Sequence, residues 1–285
     1  MQVRIITDST ADLCSAPRPN LTVVPLTIRF GEQEYLDGVT LSRRGFYEKL
    51  VESDVLPTTS QATPYDFTQP FRAAEEAGEG VVVITLSAKL SGTYQSAAMA
   101  AGEFPGRVHV VDSKSVAMGA GILVEYALQL ADRGLGAGEI ARELEVQREN
   151  IRLVALLDTL EYLKRGGRIS KAVAFAGGLL SIKPVVSLEN GEVVILGKAR
   201  GSRQGNNMLV QQIEAAGGVD FEKPLILGYT GLSDALLQKY IEDSAALWQG
   251  RVQELPKVIV SGAVGTHAGP GAIAVAFFRS PAGKN

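Results

Sequence analysis

Four short apolar runs place the tightest limit on the fold of this chain. They are Val3–Thr7, Val81–Leu86, Arg107–Val111 and Leu153–Leu157, and each one ends at loop-like or polar residues. Their Val and Ile content and their loop-like ends favour strands over helices, and such runs are typical of strands that are buried on both faces. A sheet with two buried faces needs helices on both sides, so the runs predict an α/β fold.

Helical patterns separate the runs in the first half. Thr63, Pro64 and Asp66 resemble a helix start, with an N-cap hydroxyl, a proline in the first turn and an acid near the unpaired N–H groups. Ser115–Arg133 and Gly138–Asn150 are long enough to form helices. Strands that alternate with helices predict a mostly parallel sheet with flanking helices.

The second half has a different pattern. Asn190-Gly191 lies between the apolar runs 184–188 and 192–196, which is a strong signal for a β-hairpin. The following segments predict a smaller α/β domain with some antiparallel pairing. They are helices at 202–216 and 233–248 and strands at 225–230, 257–260 and 272–278. We place the two domains at residues 1–155 and 156–285, and the lack of a Pro/Gly/Ser-rich linker indicates that they share a substantial interface.

The composition excludes several classes of protein. Two histidines and one cysteine in 285 residues disfavour a Cys/His metal centre, while carboxylate-bound metals stay open on this count. We expect no metal site and no cofactor. One cysteine also excludes an internal disulfide bond. A formal net charge of −3 gives no electrostatic reason to bind nucleic acid. No apolar run approaches the length of a membrane span and the start shows no signal-peptide pattern, so a soluble cytoplasmic protein is expected.

Hydroxyl groups are concentrated where the predicted strands end. Ser9 and Thr10 follow the first run, Ser91 and Thr93 follow the second, and Ser113 follows the third. Ligands of open α/β sheets bind beyond the carboxyl ends of the strands. An edge that is rich in hydroxyls and poor in bases is better suited to holding an anion than to breaking a bond.

Ser91-Gly92-Thr93 is the clearest local candidate for an anion site. Gly92 permits close backbone approach, and the helical pattern that follows would direct unpaired N–H groups at a carboxylate or phosphate. The alternative is that Ser91 or Thr93 only caps this helix. A second hydroxyl cluster, which contains Thr59, is open to the same two interpretations.

The two histidines have different surroundings. His267 lies among Gly265, Gly269 and Gly271, which indicates either a glycine-rich turn with an exposed ring or a loop that holds the ring near a bound anion. His109 lies within the third apolar run, and we interpret it as structural.

Arg168 is not explained by local structure. Lys164 and Arg165 followed by Gly166 form an ordinary helix C-terminus, but Arg168 lies beyond the glycines. It could contact the anionic end of a ligand or a partner protein. The chain has no Gly-x-Gly-x-x-Gly after a strand, no phosphate-binding loop and no Gly-x-Ser-x-Gly elbow.

Taken in order along the chain, these segments resemble the DegV family, whose members bind fatty acids. The resemblance extends from residue 8 to residue 271. Its motifs are Asp8–Leu13, Val24–Leu26, Asp37-Gly38, Thr59–Gln61, Leu90–Ala97, Val111–Lys114, Asp158–Ser170, Ile182–Pro184 and Gly265–Gly271. Ala62 departs from the pattern, because the family commonly has proline after Thr-Ser-Gln.

The resemblance implies a two-domain α/β protein that buries one long-chain fatty acid between its domains. Thr59, Ser91 and the Gly92 N–H would hold the carboxylate, His267 would complete that end of the site, and Arg168 would serve the interaction with a fatty acid kinase. The kinase would convert the bound acid into an acyl phosphate for phospholipid synthesis. The apolar segment 172–180 is a candidate wall of the tunnel or, equally, ordinary core helix.

Two other functions stay open at this point. One is an enzyme acting on a small anion, a hydrolase or phosphotransferase that uses Ser91 and His267, although the chain offers few general bases. The other is a regulatory protein in which the bound lipid changes a protein–protein surface.

Overall fold

A computed structural model describes residues 2–169 and 182–281. The apolar segment 172–180 therefore lies outside the described residues. Within the two described ranges, no helix combines the length and the apolar character that crossing a bilayer requires. The strands are β1 (Val3–Asp8), β2 (Leu21–Val24), β3 (Thr27–Phe30), β4 (Gln33–Leu36), β5 (Thr58–Ser60), β6 (Gly80–Thr85), β7 (Val108–Asp112), β8 (Ile151–Leu156), β9 (Ile182–Glu189), β10 (Glu192–Arg200), β11 (Ile226–Tyr229), β12 (Lys257–Ile259) and β13 (Ile273–Phe278).

The helices fall between these strands, as the alternating pattern predicts. They are α1 (Arg43–Glu52), α2 (Pro64–Glu76), α3 (Thr93–Ala101), α4 (Met118–Asp132), α5 (Ala137–Gln147), α6 (Glu161–Arg165), α7 (Gly201–Ala215), α8 (Ala235–Asp243), α9 (Ala245–Trp248) and α10 (Gly262–Ala268). The start of α2 has the predicted N-cap at Thr63, and the structure adds a capping box in which Thr63 and Asp66 satisfy each other's backbone N–H groups.

The predicted α/β fold is confirmed. The first sheet has the order β2-β1-β6-β7, and all of its strands are parallel. A second sheet has six strands in the order β10-β9-β8-β13-β11-β12, with both parallel and antiparallel pairs. The Asn190-Gly191 turn joins β9 to β10 with positive φ at both residues, as a tight hairpin turn requires.

Two features of the sheets differ from the sequence-based prediction. A small antiparallel sheet, β4-β3-β5, was missed because its strands are only three or four residues long and carry polar residues. In addition, β8 forms a strand as predicted but belongs to the second sheet, where it runs antiparallel to β9 and β13. Residue 155 lies inside β8, so the boundary placed there would divide a strand. We propose a boundary just before β8, near residue 150.

Helix α4 connects the two large sheets through their shared core. Eleven of its fifteen residues are buried, and it contacts β1 and β6 on one side and β8, β11 and β13 on the other. A helix with so wide an apolar surface is stable only when that surface is enclosed in this way. A side chain at Gly121 would place its Cβ 2.2 Å from the Asp12 carbonyl oxygen, so the helix can approach the loop after β1 only with glycine there.

Candidate functional site: an apolar cavity with one polar end

A cavity of about 140 Å³ lies between the carboxyl edge of the parallel sheet and one face of the six-stranded sheet. Thr10, Leu86 and Val116 contribute from the loops that follow β1, β6 and β7, which is where open α/β sheets bind ligands. Most of the remaining wall is apolar. Apolar cavities of this size stay dry and accept apolar ligands. The wall includes Met118, Leu153, Ala155, Val186, Leu188 and Ala274.

One end of the cavity is polar. The described residues that form it come from four separate parts of the chain. They are Thr59 and Gln61 from β5 and the segment after it, Ser91 from the loop before α3, Arg168 from the segment after α6, and His267 from α10. The structure therefore brings together four of the five site residues predicted from the sequence. The fifth, Gly92, lies directly behind Ser91.

The Ser91 hydroxyl lies at the start of α3, and its role in binding an anion stays a prediction. Its Oγ accepts a hydrogen bond from the Thr93 N–H at 3.3 Å and lies 2.9 Å from the Thr93 Oγ1, although the N-cap residue of α3 is Gly92. Ser91 also lines the cavity. Behind it, a Cβ at Gly92 would lie 2.1 Å from Gln61 Oε1, so a side chain there would displace Gln61.

His267 faces Thr59 across the polar end. Its Nε2 lies 2.9 Å from Thr59 Oγ1, and its buried Nδ1 has no hydrogen-bond partner among the described residues. The ring packs against Gly166, where a Cβ would lie 2.1 Å from Nδ1. Burial, together with the charge of Arg168, lowers the pKa of His267 to about 4. The ring is therefore neutral at pH 7, with one nitrogen available to donate and the other to accept.

The prediction that residues 265–271 form a glycine-rich turn or loop is wrong for its first half. Residues 262–268 form α10, which ends at Gly269 with a φ of 71°. The helix contains glycine because it packs closely: a Cβ at Gly265 would lie 2.6 Å from Tyr47 Oη, and one at Gly262 would lie 2.8 Å from the Phe46 ring. The alternative of an exposed ring is also wrong, since His267 is half-buried in the cavity wall.

Hydrogen bonds to two backbone carbonyls hold the Arg168 side chain against the cavity. Its Nε donates to the Leu90 carbonyl at 3.2 Å, and its Nη1 donates to the Gly166 carbonyl at 2.5 Å. The guanidinium is half-buried and lines the polar end beside Ser91. This position fits the anionic end of a ligand. The contact with a partner protein that the sequence suggested stays a prediction.

Gln61 also lines the cavity, although its sequence motif did not predict a place in the site. Its Nε2 donates to Ser96 Oγ at 3.1 Å, which directs its carbonyl oxygen toward Gly92. The sequence carried a signal for it, since Gln61 directly follows the hydroxyl cluster at 58–60. His109, by contrast, lies on β7 with its ring 3.5 Å from the position of a Cβ at Gly138. It does not line the cavity.

The sequence is similar to those of known proteins along nearly its whole length. A family model described as "Uncharacterised protein, DegV family" matches residues 2–280. The chain belongs to the DegV family. A DegV domain-containing protein of Deinococcus radiodurans is 36% identical over 284 residues, covering 97% of this chain and 98% of that protein. The resemblance seen in the sequence motifs is thereby confirmed.

Solved DegV structures share the fold and include proteins with bound lipid. A DegV family protein from Thermus thermophilus, described for its fatty acid binding, is 33% identical with a TM-score of 0.85, covering 98% of this chain and all of that one. The Streptococcus pneumoniae Fatty Acid Kinase (Fak) B3 protein, loaded with linoleic acid, is 25% identical with a TM-score of 0.85 over the same shares. A fatty acid is therefore a known ligand of similar DegV proteins.

The lowered pKa of His267 leads to a direct prediction. We expect the imidazole to titrate near pH 4, and we expect Arg168→Gln to raise this midpoint while burial keeps it below the ordinary value of about 6.5. The measurement is an NMR titration of the ring nitrogens in a His109→Gln background, which leaves a single imidazole signal. A midpoint near 6.5 in the parent protein would show that the ring is hydrated.

The same shift predicts how stability depends on pH. Between pH 4 and about 6.5 the unfolded chain binds a proton at His267 that the folded protein does not bind, so this residue lowers stability as the pH falls through that window. We expect the stability difference between the parent and His267→Gln to change across this window and to be constant above pH 7. Urea unfolding at several pH values measures the free energy of unfolding of both proteins. If their difference is constant from pH 4 to pH 7, the pKa of His267 is not lowered.

Proposed function

We propose that this protein binds one long-chain fatty acid in the apolar cavity, with the carboxylate at the polar end. The observation that carries the proposal is the composition of the cavity: a long apolar wall that ends in Thr59, Ser91, Arg168 and His267. A fatty acid has the same distribution of polarity. The lipid-binding DegV structures support the proposal.

The apolar wall supplies the driving force. A long acyl chain has about 15 methylenes, each worth roughly 0.8 kcal/mol when it is buried, which gives about 12 kcal/mol before the cost of ordering. Such a ligand would remain bound through purification. Acids of different chain length bury different numbers of methylenes and so gain different binding free energies. The length of the cavity therefore also sets which chain lengths bind best.

The polar end can hold a carboxylate without a metal ion. Hydroxyl groups donate charge-assisted hydrogen bonds, and the Gly92 N–H finds no acceptor among the described residues. Neutral His267 can donate from Nε2 to Thr59 Oγ1, which leaves the Thr59 hydroxyl proton for the carboxylate, and the Arg168 guanidinium supplies a positive charge at the same end. We therefore assign Thr59, Ser91, the Gly92 N–H and His267 to the carboxylate.

We further propose that the protein is a carrier rather than an enzyme. It would present the carboxylate to a separate fatty acid kinase, which transfers phosphate from ATP and yields an acyl phosphate for phospholipid synthesis, in the cytoplasm. The similarity to the pneumococcal Fak B3 protein supports this role. Arg168 lies at the polar end, where a kinase would have to reach the carboxylate.

The arrangement of His267 gives little support to a hydrolase or phosphotransferase. The hydrogen bond of its Nε2 goes to Thr59 rather than to Ser91, and no carboxylate orients its Nδ1 among the described residues. With a pKa of about 4, the ring is a weak general base at neutral pH.

Mass spectrometry of the denatured, purified protein tests lipid binding directly. We expect a fatty acid of 14 to 18 carbons, about the chain length assumed above, in a 1:1 ratio with the protein. The delipidated protein should bind added palmitate or oleate. An extract without fatty acid, together with no binding of either acid, would contradict the proposal.

Reconstitution with a fatty acid kinase tests the carrier role separately. ATP, kinase and lipid-loaded protein together should form acyl phosphate, whereas the protein with ATP alone should not. Arg168→Lys keeps the charge but loses the fork of the guanidinium. If Arg168 contacts the kinase, Arg168→Lys should lose acyl phosphate formation and keep palmitate affinity. If it keeps acyl phosphate formation but loses palmitate affinity, Arg168 instead binds the carboxylate.

A further inference from the structure

Helix α10 carries His267 in its last turn but is too short to hold its own position. It has seven residues, and isolated helices of this length are unstable in water. Its packing partners are α1, β3 and β5 from the first half and α6 from the second. The setting of the His267 ring is therefore decided by contacts outside the helix.

Two buried carboxylates from the first half hold the start of α10. Asp37, in the loop after β4, accepts hydrogen bonds from the Gly262 N–H at 3.1 Å and the Ala263 N–H at 3.3 Å. Asp12, after β1, accepts from the Ser261 N–H at 2.9 Å. These are N–H groups that the helix itself cannot satisfy, and a carboxylate is favoured at the positive end of a helix.

Two residues of α1 hold the segment immediately before α10. Arg43 donates from Nη1 to the Ile259 carbonyl at 2.8 Å, and Tyr47 donates from Oη to the Val260 carbonyl at 3.0 Å. Arg43 also pairs with Asp12 at 3.2 Å, which links the two sets of contacts. Residues 259–263 are therefore fixed along five consecutive positions by side chains of the first half.

Asp37 is the member of this group that acts on the helix most directly. It is 2% exposed, and burying a carboxylate is costly unless hydrogen bonds compensate. Its two oxygens accept hydrogen bonds from consecutive N–H groups. These two bonds set both the position of the first turn along the helix axis and its rotation about that axis. Gly262 and His267 are five residues apart, or about 7.5 Å along a helix axis, so a displacement at the start moves the ring.

We propose that Asp37 is a positioning residue for the polar end of the cavity: it caps α10 and so sets the His267 ring against Thr59. The part of this inference that concerns fatty acid affinity rests on the proposed function; the part that concerns the ring does not. Asp37 is not among the residues that line the cavity, and its hydrogen bonds to the start of α10 connect it to the ring. It also has a side-chain hydrogen bond with Ser9.

The test compares Asp37→Ala and Asp37→Asn with the parent in the His109→Gln background. Asn keeps one acceptor oxygen, so it should rescue part of the effect. We expect Asp37→Ala to shift the His267 ring signals, to raise their titration midpoint as the ring gains water, and to weaken palmitate binding about tenfold. Asp37→Asn should give a titration midpoint and a palmitate affinity between those of the parent and Asp37→Ala. If the Ala variant does not fold, the comparison of Asp37→Asn with the parent still tests the inference.

Ser244→Ala is the control for loss of stability alone. Its buried Oγ accepts from Trp248 Nε1 at 2.9 Å and donates to the Tyr240 carbonyl in the outer helical layer, far from the cavity. This variant should lose thermal stability and leave the His267 signals and palmitate affinity unchanged. If both Asp37 variants match Ser244→Ala in the ring signals, the inference is overturned. Shifted ring signals in a protein that never binds palmitate would instead refute only the proposed function.

Discussion

Palmitate affinity is expected to fall about a hundredfold when Ala155 is replaced by phenylalanine. Ala155 lies on β8 between Val186 and Ala274 on the neighbouring strands, and it faces the cavity. A phenyl ring there would occupy the space of about four methylenes of the ligand, each worth roughly 0.8 kcal/mol, or about 3 kcal/mol in total. Titration calorimetry of the delipidated proteins measures the effect.

The length of the acid makes this experiment more selective. A shorter acid such as decanoate has fewer methylenes to displace, so Ala155→Phe should weaken its binding less than that of palmitate. Ala73→Phe, on the exposed face of α2, controls for the added ring and should bind both acids normally. A folded Ala155→Phe protein with unchanged palmitate affinity would show that the acyl chain does not lie along β8.

Removing a hydroxyl from the polar end is expected to weaken binding by about 1–3 kcal/mol, or roughly 5- to 150-fold. The prediction applies to Ser91→Ala and to Thr59→Ala, because each hydroxyl would donate to a charged carboxylate in a site with little water. Thr59→Ala also removes the hydrogen-bond partner of His267. Palmitate affinity by calorimetry is again the measurement.

Two controls separate the carboxylate from general disturbance. Ser60 is the next residue on β5 and is exposed, so Ser60→Ala removes a neighbouring hydroxyl without touching the cavity and should leave affinity unchanged. Methyl palmitate lacks the charge, so the loss in Ser91→Ala should be smaller for the ester than for the acid. Equal affinity of both alanine variants and the parent for palmitate would mean that the carboxylate binds elsewhere.

Local patterns were sufficient for the elements that are buried or sharply turned. The runs that became β1 and β6 are largely apolar because helices cover both faces of their sheet, and this signal is present in each segment alone. The third run forms the edge strand β7, in which only Val111 is buried. The hairpin was predictable because Asn190 and Gly191 tolerate the positive φ of a tight turn. The hydroxyls at the strand ends pointed to the edge of the sheet where the cavity lies.

Elements that depend on distant partners were not predictable in the same way. In β3 and β5, Ile28 pairs with Thr59, and short mixed segments of this kind resemble loops until they are paired. The glycines of α10 indicated a loop, but Gly262 and Gly265 are there because Phe46 and Tyr47 lie against the helix. The sheet to which β8 belongs follows from its pairing with β9 and β13.

The sequence by itself determined the α/β class, the family and most of the residues of the candidate site. Each of these depends on signals within short segments: apolar runs, turn residues and family motifs. Only the tertiary structure decided how those residues meet. Thr59 and His267 are 208 positions apart and become neighbours through β5 and α10. The pKa of His267 is lowered because folding buries the ring and brings Arg168 near it, and neither effect exists in the unfolded chain.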